Sequence, residues 1–326
     1  LVALLQKETE FHQQLEEHIK HIGDLERLIA KVALQKVNPR ELIQLARSLN
    51  AIDIIKTLAS NIDAPSIQEI AKQLDPCLAL AAKINQFIQA DPPALLIKGN
   101  VIAAGVSEEL DELRKIAFSG KDYLLAIQKR ESEKTGISSL KVAFNSVFGY
   151  YLEVTHVHKD KVPSDWIRKQ TLVNAERYIT PELKEYEEKI IGAEEKIAAI
   201  EFQLYQELIL SMLPYIQPIQ ADAQIIAFLD VIGSFAFTAA KNDYVQPELT
   251  DDAVLTITDG RHPVIEHTLA IGESYIPNNI LLDPQSQQMI MITGPNMSGK
   301  SAILRQTGLI VLMAQIGSFV PAKALK

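Results

Sequence analysis

Eight residues late in the chain have the types and spacing to hold a triphosphate. Gly294, Pro295, Asn296, Met297, Ser298, Gly299, Lys300 and Ser301 read G-x-x-x-x-G-K-S, the phosphate-loop pattern. The two glycines let the backbone turn tightly and aim successive N–H groups at phosphate oxygens. Lys300 offers a point charge to the β- and γ-phosphates, and Ser301 offers a hydroxyl to Mg2+. A helix starting here would add the positive end of its dipole. ATP and Mg2+ are the cofactors this pattern calls for.

A phosphate loop must sit between a strand and a helix. Residues 289–292, Met-Ile-Met-Ile, predict a short buried parallel strand. Residues 302–316 lack proline and carry Ile303, Leu304, Ile310, Val311, Leu312 and Ala314, which predicts a buried helix closed by Gly317. The bland alternative is a glycine-rich turn. Phosphoryl transfer also needs a carboxylate to place metal and water. No apolar run ending in Asp-Glu follows Ser301, so no turnover of ATP is expected from this chain. The run from Ile225 to Asp230 precedes the loop and lies in a helical pattern.

The 326 residues are 47% hydrophobic and 22% charged, enough for two or three domains. No run of 18 apolar residues and no signal-peptide pattern is present, so a soluble, cytoplasmic protein without a membrane is expected. Cys77 is the one cysteine; it predicts a reducing compartment and a buried filler rather than a nucleophile. The net charge of −9 argues against a general nucleic-acid binder. Residues 136–178 nevertheless hold six Lys and Arg (Lys141, Lys159, Lys161, Arg168, Lys169, Arg177) against four acids (Glu153, Asp160, Asp165, Glu176). That leaves +2 there and −11 elsewhere, which an ordinary mixed surface would also show.

Residues 1–100 read mostly as helix, with residues 11–37 as one long charged helix. Asn38 and Pro39 are placed to cap and open the next, over residues 42–58. Two later stretches carry heptad seams: Leu110, Leu113, Ala117, Gly120, Leu124 and Ile127, then Leu183, Tyr186, Ile190, Ala193, Ile197, Ile200 and Leu204. Between them, residues 140–157 alternate with β-branched and aromatic positions, including Val147, Phe148 and Gly149, and predict a hairpin or meander. Residues 170–173 form another strand candidate. Thr180-Pro181-Glu182 opens the second seam helix. The expectation is a stalk of two antiparallel helices, each about 35–45 Å long, with a β-rich module at its tip. The alternative is one compact bundle with a β excursion. Residues 205–242 are apolar helix, residues 244–253 a linker, and from Val254 strands open an α/β domain.

At this point the residues resemble a known family. Residues 293–301 followed by Leu304-Arg305-Gln306-Thr307 resemble the MutS family of DNA mismatch-repair ATPases. Residues 260–264, 174–187 and 23–28 fit the same family, in the expected order. The resemblance implies a mainly α multidomain fold. Residues 1–135 would form helical core and descending lever, residues 136–178 a β-rich DNA clamp, residues 179–243 ascending lever and core, and residues 244–326 the truncated start of a P-loop ATPase. It implies Lys159, Lys161, Arg168 and Lys169 as candidate contacts to duplex DNA phosphates, which position rather than specify. It implies Tyr275 as the aromatic stacked on adenine, Asn296 near the γ-phosphate and His262 as structural.

It further implies a homodimer in the longer protein, a MutL-type repair partner and a nucleoid-associated cytoplasmic setting. Ala302 departs from the family's usual Thr, removing a hydroxyl that could bond an α-phosphate. The mismatch-reading and connector domains are absent from this sequence, as is the segment that reaches across the dimer. A member of the family acting on branched recombination DNA, or an isolated non-specific DNA-binding module, is the alternative function.

Overall fold

A computed structural model describes residues 1–145, 149–270, 272–295 and 298–326, with residues 120 and 121 described by backbone alone. The expected strand positions Val147 and Phe148 lie outside the described residues, and the seam position Gly120 is described only as part of a helix backbone. Among the described residues the fold is mainly helical with two small antiparallel sheets. The chain divides into two compact units, one of Leu1–Ile29, Arg47–Leu78 and Tyr215–Lys326, the other of Ala30–Ala46 and Ala79–Pro214.

The early helices are α1 (Val2–Lys7), α2 (Thr9–Ile19), α3 (Leu25–Ala33), α4 (Pro39–Asn61), α5 (Pro65–Gln73) and α6 (Leu78–Phe87). The single helix expected over residues 11–37 is therefore two. The reason is local: Asp24 accepts the Arg27 amide at 3.0 Å, starting a new helix, and Gly23 donates its N–H to Ser48 Oγ at 3.0 Å. The cap at α4 is as expected. Asn38 Oδ1 accepts the Glu41 amide at 3.0 Å and Glu41 Oε2 accepts the Asn38 amide at 3.1 Å, a reciprocal capping box.

In the second unit the two seam stretches become α7 (Glu108–Thr135) and α8 (Pro181–Met212). Each is capped at its N-terminus by a hydroxyl: Ser107 accepts from Leu110 and Thr180 from Leu183. The helices are antiparallel, because Arg130 meets Glu182 at 2.5 Å while Arg114 meets Glu201 at 2.5 Å. Tyr123 stacks on Tyr186 with centroids 3.8 Å apart. Leu110, Ala117, Leu124 and Ile127 are buried as the first seam requires, and Leu183, Ile190 and Ala193 as the second does. Beyond Ala193 the seam drifts. Ile197, Ile200 and Leu204 are only half-buried, while Glu201, Tyr205 and Leu208 are buried. A helix of 3.6 residues per turn rotates away from a strict 3.5 repeat.

Between α7 and α8 lie β1 (Lys141–Asn145), β2 (Gly149–Thr155), β3 (Ile167–Thr171) and β4 (Ala175–Ile179). They pair antiparallel in the order β1-β2-β4-β3. The expected hairpin is β1-β2, with Val142 opposite Leu152. The candidate strand at residues 170–173 begins earlier, at Ile167, and ends at Thr171. Leu152, Val154, Trp166 and Tyr178 from this part of the chain share one apolar cluster with Leu124, Ile127, Leu183 and Ile190 of the helices. Sheet and helix ends therefore form one core.

In the first unit α9 (Ile216–Asn242) ends at Asp243, which adopts a left-handed conformation. Tyr244 is buried and Val245 bridges Val320, so residues 244–253 begin inside the packed structure rather than as a free linker. The strands that follow are β5 (Leu255–Gly260), β6 (Asn278–Leu282) and β7 (Ala324–Leu325), antiparallel in the order β6-β5-β7, with α10 (Lys300–Gln315) packed on β5.

Residues 289–292 are not the buried parallel strand expected. Ile290 packs on the core, but Met289 and Met291 are 82% and 84% exposed, and among the described residues no parallel partner runs beside them. The helix after the loop is buried on one face only, through Gln306, Ile310 and Ala314, while Leu304 and Leu312 are exposed. The helical stretch Pro181–Asn242 contains a long, strongly apolar window that is partly buried. By length and composition alone that window is apolar enough to cross a membrane, although no uninterrupted apolar run of 18 residues is present.

Cys77 is buried, its thiol pushed up to about 12 by burial and then by Asp75 and Asp222, which fits an inert filler. Asp222 is fully buried on α9. One carboxyl oxygen accepts the Asp75 amide at 2.9 Å and the other has no partner among the described residues. Burial raises its pKa from 3.8 to about 6, opposed by the hydrogen bond from the Asp75 amide and by Lys56, with the nearby Asp75 carboxylate adding to the rise. A carboxyl raised on folding stabilises below its unfolded pKa and loses that contribution as pH rises through the folded value. Asp222→Asn is therefore expected to match the natural chain near pH 4 and exceed its stability by about 1–3 kcal/mol at pH 8. Thermal melts across pH 4–8 check this; a constant offset at all pH values would refute it.

Candidate nucleotide and nucleic-acid sites

Gly299 is the N-cap of α10 and adopts φ 88°, a left-handed conformation that a side chain would strain. Gly294 stands at φ 154°. A Cβ there would come within 2.9 Å of Ser298 Oγ, so the turn closes too tightly for one. Ser298 donates its amide to Pro295 O at 3.4 Å. Lys300 Nζ donates to the carbonyls of Gly294 and Pro295, the latter at 2.8 Å. The lysine thus lies across the loop, with its charge over the turn. Ser301 is exposed in the first turn of α10. Asn296 and Met297 lie outside the described residues.

Ser298, Gly299 and Lys300 line an open cavity of about 550 Å3 together with Tyr275, Asn278, Ile292 and Ile303. The structure thus brings Tyr275 to the same space as the glycine loop, although it stands 25 positions before Lys300. Tyr275 is half-buried, and burial pushes its phenol up. Its hydroxyl donates to Gln306 Oε1 at 2.9 Å. His262 is buried and its Nδ1 accepts the amides of Val264 and Ile265 at 3.2 and 3.3 Å. That role is structural, and it places the proton of a neutral ring on Nε2.

The four basic residues proposed for phosphate contact fall into different surroundings. Lys159 and Arg168 both reach the buried Glu176, at 3.0 and 3.4 Å. Lys161 donates to Gly136 O at 3.3 Å, at the C-cap of α7, where a cation complements the helix end. Lys169 is exposed on the edge strand β3 and has no ion-pair partner among the described residues. Arg177 pairs with Glu153 at 3.1 Å, bonds Gln170 and covers the Tyr151 ring, so it is engaged within the sheet.

Two polar groups central to these sites, Glu176 and Gln306, carried no assigned role in the sequence reading. Glu176 accepts from Tyr178 Oη as well as from both cations. It sits two residues from Tyr178 on the same face of β4, the one signal its position carries. Gln306 precedes Ile310 and Ala314 at steps of four and shares their buried face, so the periodicity marked it as an inward polar residue.

These features define a mainly helical protein with a small sheet carried between two paired helices and a glycine loop opening a helix. Comparison with known proteins supplies the family. The profile of MutS family domain IV matches residues 105–196, which hold α7, the four-stranded sheet and the start of α8. The profile of MutS domain V matches residues 290–326. The chain is 58% identical over 318 residues to the DNA mismatch repair protein MutS of Bacteroides fragilis, covering 98% of this chain and 37% of that protein. It is 56% identical over 326 residues to the protein of that name from Flavobacterium johnsoniae, covering 100% and 38%. For Cytophaga hutchinsonii the figures are 57% over 321 residues, 98% and 38%. The chain belongs to the MutS family. It spans rather more than a third of the length of these curated relatives.

Burial of Glu176 is balanced by its partners. The Tyr178 hydroxyl and then the Lys159 ammonium hold its carboxyl below the usual glutamate range. A depressed carboxyl contributes stability above its unfolded pKa and loses it as pH falls through the folded value. Glu176→Gln is expected to melt below the natural chain at pH 7. The gap should close as pH is lowered past the ordinary glutamate range near 4.3. Melts followed by Trp166 fluorescence check this; a gap that persists under acid would contradict it.

Proposed function

We propose that this chain is the lever, clamp and opening ATPase segment of a mismatch-repair protein of the MutS type. Residues 1–135 and 179–243 act as helical core and lever, residues 136–178 as a clamp on duplex DNA, and residues 244–326 as the first part of a P-loop ATPase domain. The observation that carries the reading is the single core joining α7, α8 and the four-stranded sheet, in the span where the domain IV profile matches. A small sheet fixed rigidly to two long helices can transmit helix movement to whatever the sheet touches. Lys159, Lys161, Arg168 and Lys169 contact phosphates and read no sequence.

ATP with Mg2+ binds across the cavity between Tyr275 and the glycine loop. The residues present fit such a ligand in kind: an aromatic ring on one side, a lysine and helix N-terminus on the other. Gly294, Pro295, Asn296, Met297, Ser298 and Gly299 wrap the phosphates, Lys300 balances their charge, Ser301 offers its hydroxyl to Mg2+ and Tyr275 meets the base. In the longer protein the partners are mismatched duplex DNA, a second copy of the chain and a MutL-type repair protein, and the setting is the cytoplasm at the nucleoid.

Titration of labelled duplex against the chain at several salt concentrations tests the clamp. Affinity should fall as salt rises, as counterion release demands. Lys169→Ala should weaken binding to all sequences alike and reduce the log–log salt slope by about one. Binding indifferent to salt would end the phosphate-contact reading. For the loop, Lys300→Ala should weaken ATP binding about tenfold or more, since charge-assisted bonds to phosphate are worth about 1.5–3 kcal/mol. Equal affinity of the two chains by calorimetry would count against it.

A further inference from the structure

Gln306 is fully buried on α10, yet only half of its amide is satisfied. Oε1 accepts from Tyr275 Oη at 2.9 Å and from Asn278 Nδ2 at 3.3 Å, while Nε2 has no hydrogen-bond partner among the described residues. A buried amide donor left unpaired is destabilising by about 1–3 kcal/mol, so packing alone would favour an apolar side chain here. Room for the amide is made from the opposite side. A Cβ on Gly260 of β5 would lie 2.6 Å from Gln306 Nε2. Backbone, glycine and amide thus fit together around a group that stability does not call for.

The connections explain its use. Tyr275 and Asn278 both line the cavity that contains Ser298, Gly299 and Lys300. Gln306 stands six residues after Lys300 on the same helix, a rise of about 9 Å. One amide oxygen therefore ties the aromatic side of the cavity to the helix whose first turn forms the other side. Asn278 is held in turn by its bond to Ile276 O at 3.1 Å and by pairing with Gly260 in the sheet.

We infer that Gln306 is a positioning residue for nucleotide binding, fixing the Tyr275 ring against the base while touching no ligand itself. This rests on the reading of Tyr275 and the glycine loop as a nucleotide site. Its consequence is selective: loss of Gln306 weakens recognition of the base and leaves recognition of the phosphates intact.

The test compares ATP with inorganic tripolyphosphate, both with Mg2+, by calorimetry on the 326-residue chain. The natural chain should prefer ATP. Gln306→Leu should weaken ATP about five- to twentyfold and change tripolyphosphate less than twofold. Tyr275→Phe keeps the ring and removes the same hydrogen bond, so it should reproduce that pattern without disturbing the core. The double variant should be no weaker than Gln306→Leu alone. Gln306→Glu retains both acceptor bonds and should restore the ATP preference. If the natural chain prefers ATP and neither Gln306→Leu nor Tyr275→Phe reduces that preference, the positioning role is overturned while the nucleotide site stands. Equal loss of both ligands in Tyr275→Phe would also overturn it. If the natural chain binds ATP no better than tripolyphosphate, the reading of Tyr275 falls, and the inference falls with it.

Discussion

Packing of α7 on α8, continued without a break into the four-stranded sheet, is the constraint on which the proposed DNA-handling half depends. Leu124, Ile127, Leu183 and Ile190 come from the helices, and Leu152, Val154 and Tyr178 from the strands. A sheet of four short strands has little core of its own. Sharing the helix ends gives it one, and also fixes its orientation to them. Polar contacts reinforce the join: Arg130 and Tyr123 both bind Glu182 in the first turn of α8, and Gln128 Oε1 accepts the Val142 amide at 2.8 Å. Displacement of one helix along the other would have to move the sheet or break this core.

Charge in the sheet region follows a related logic. A +2 excess is small for a surface that grips DNA, and much of it is engaged internally. Glu176 lies between Lys159 and Arg168, and Glu153 holds Arg177. An internal carboxylate competes with phosphate for the same cations, so the DNA contacts proposed for Lys159 and Arg168 would be weaker than those of unpaired cations. Weak, sequence-blind contacts suit a protein that must release and move along a duplex. Lys169, with no such competitor among the described residues, would bring its full charge to the proposed contact.

Local signals in the sequence were legible where the chemistry is local. Asn38, Ser107 and Thr180 mark helix starts through their own side chains, and the seams up to Ala193 follow from spacing. Failures came where distant residues decide. The break at Gly23-Asp24 depends on Ser48, and the burial of Glu201 in place of Ile200 depends on Arg114 and the drift of a straight helix. Residues 289–292 have the composition of a central strand, but a strand exists only with neighbours to pair with. Composition cannot supply them.

The nucleotide half shows the same division at the level of a site. G-x-x-x-x-G-K-S is contiguous, so its chemistry was readable from one string of residues. Tyr275 has no local mark at all, and its place beside the loop comes from the return of β6 along β5 and the packing of α10 on that sheet. Gln306 lies at the meeting of these elements. A contiguous motif can bind phosphate wherever a strand or turn feeds a helix, because backbone amides are everywhere available. Recognition of a base requires a ring held at a set distance from that motif. The fold must supply that distance, and in the proposed site the buried Gln306 amide would do so where α10, β5 and β6 meet.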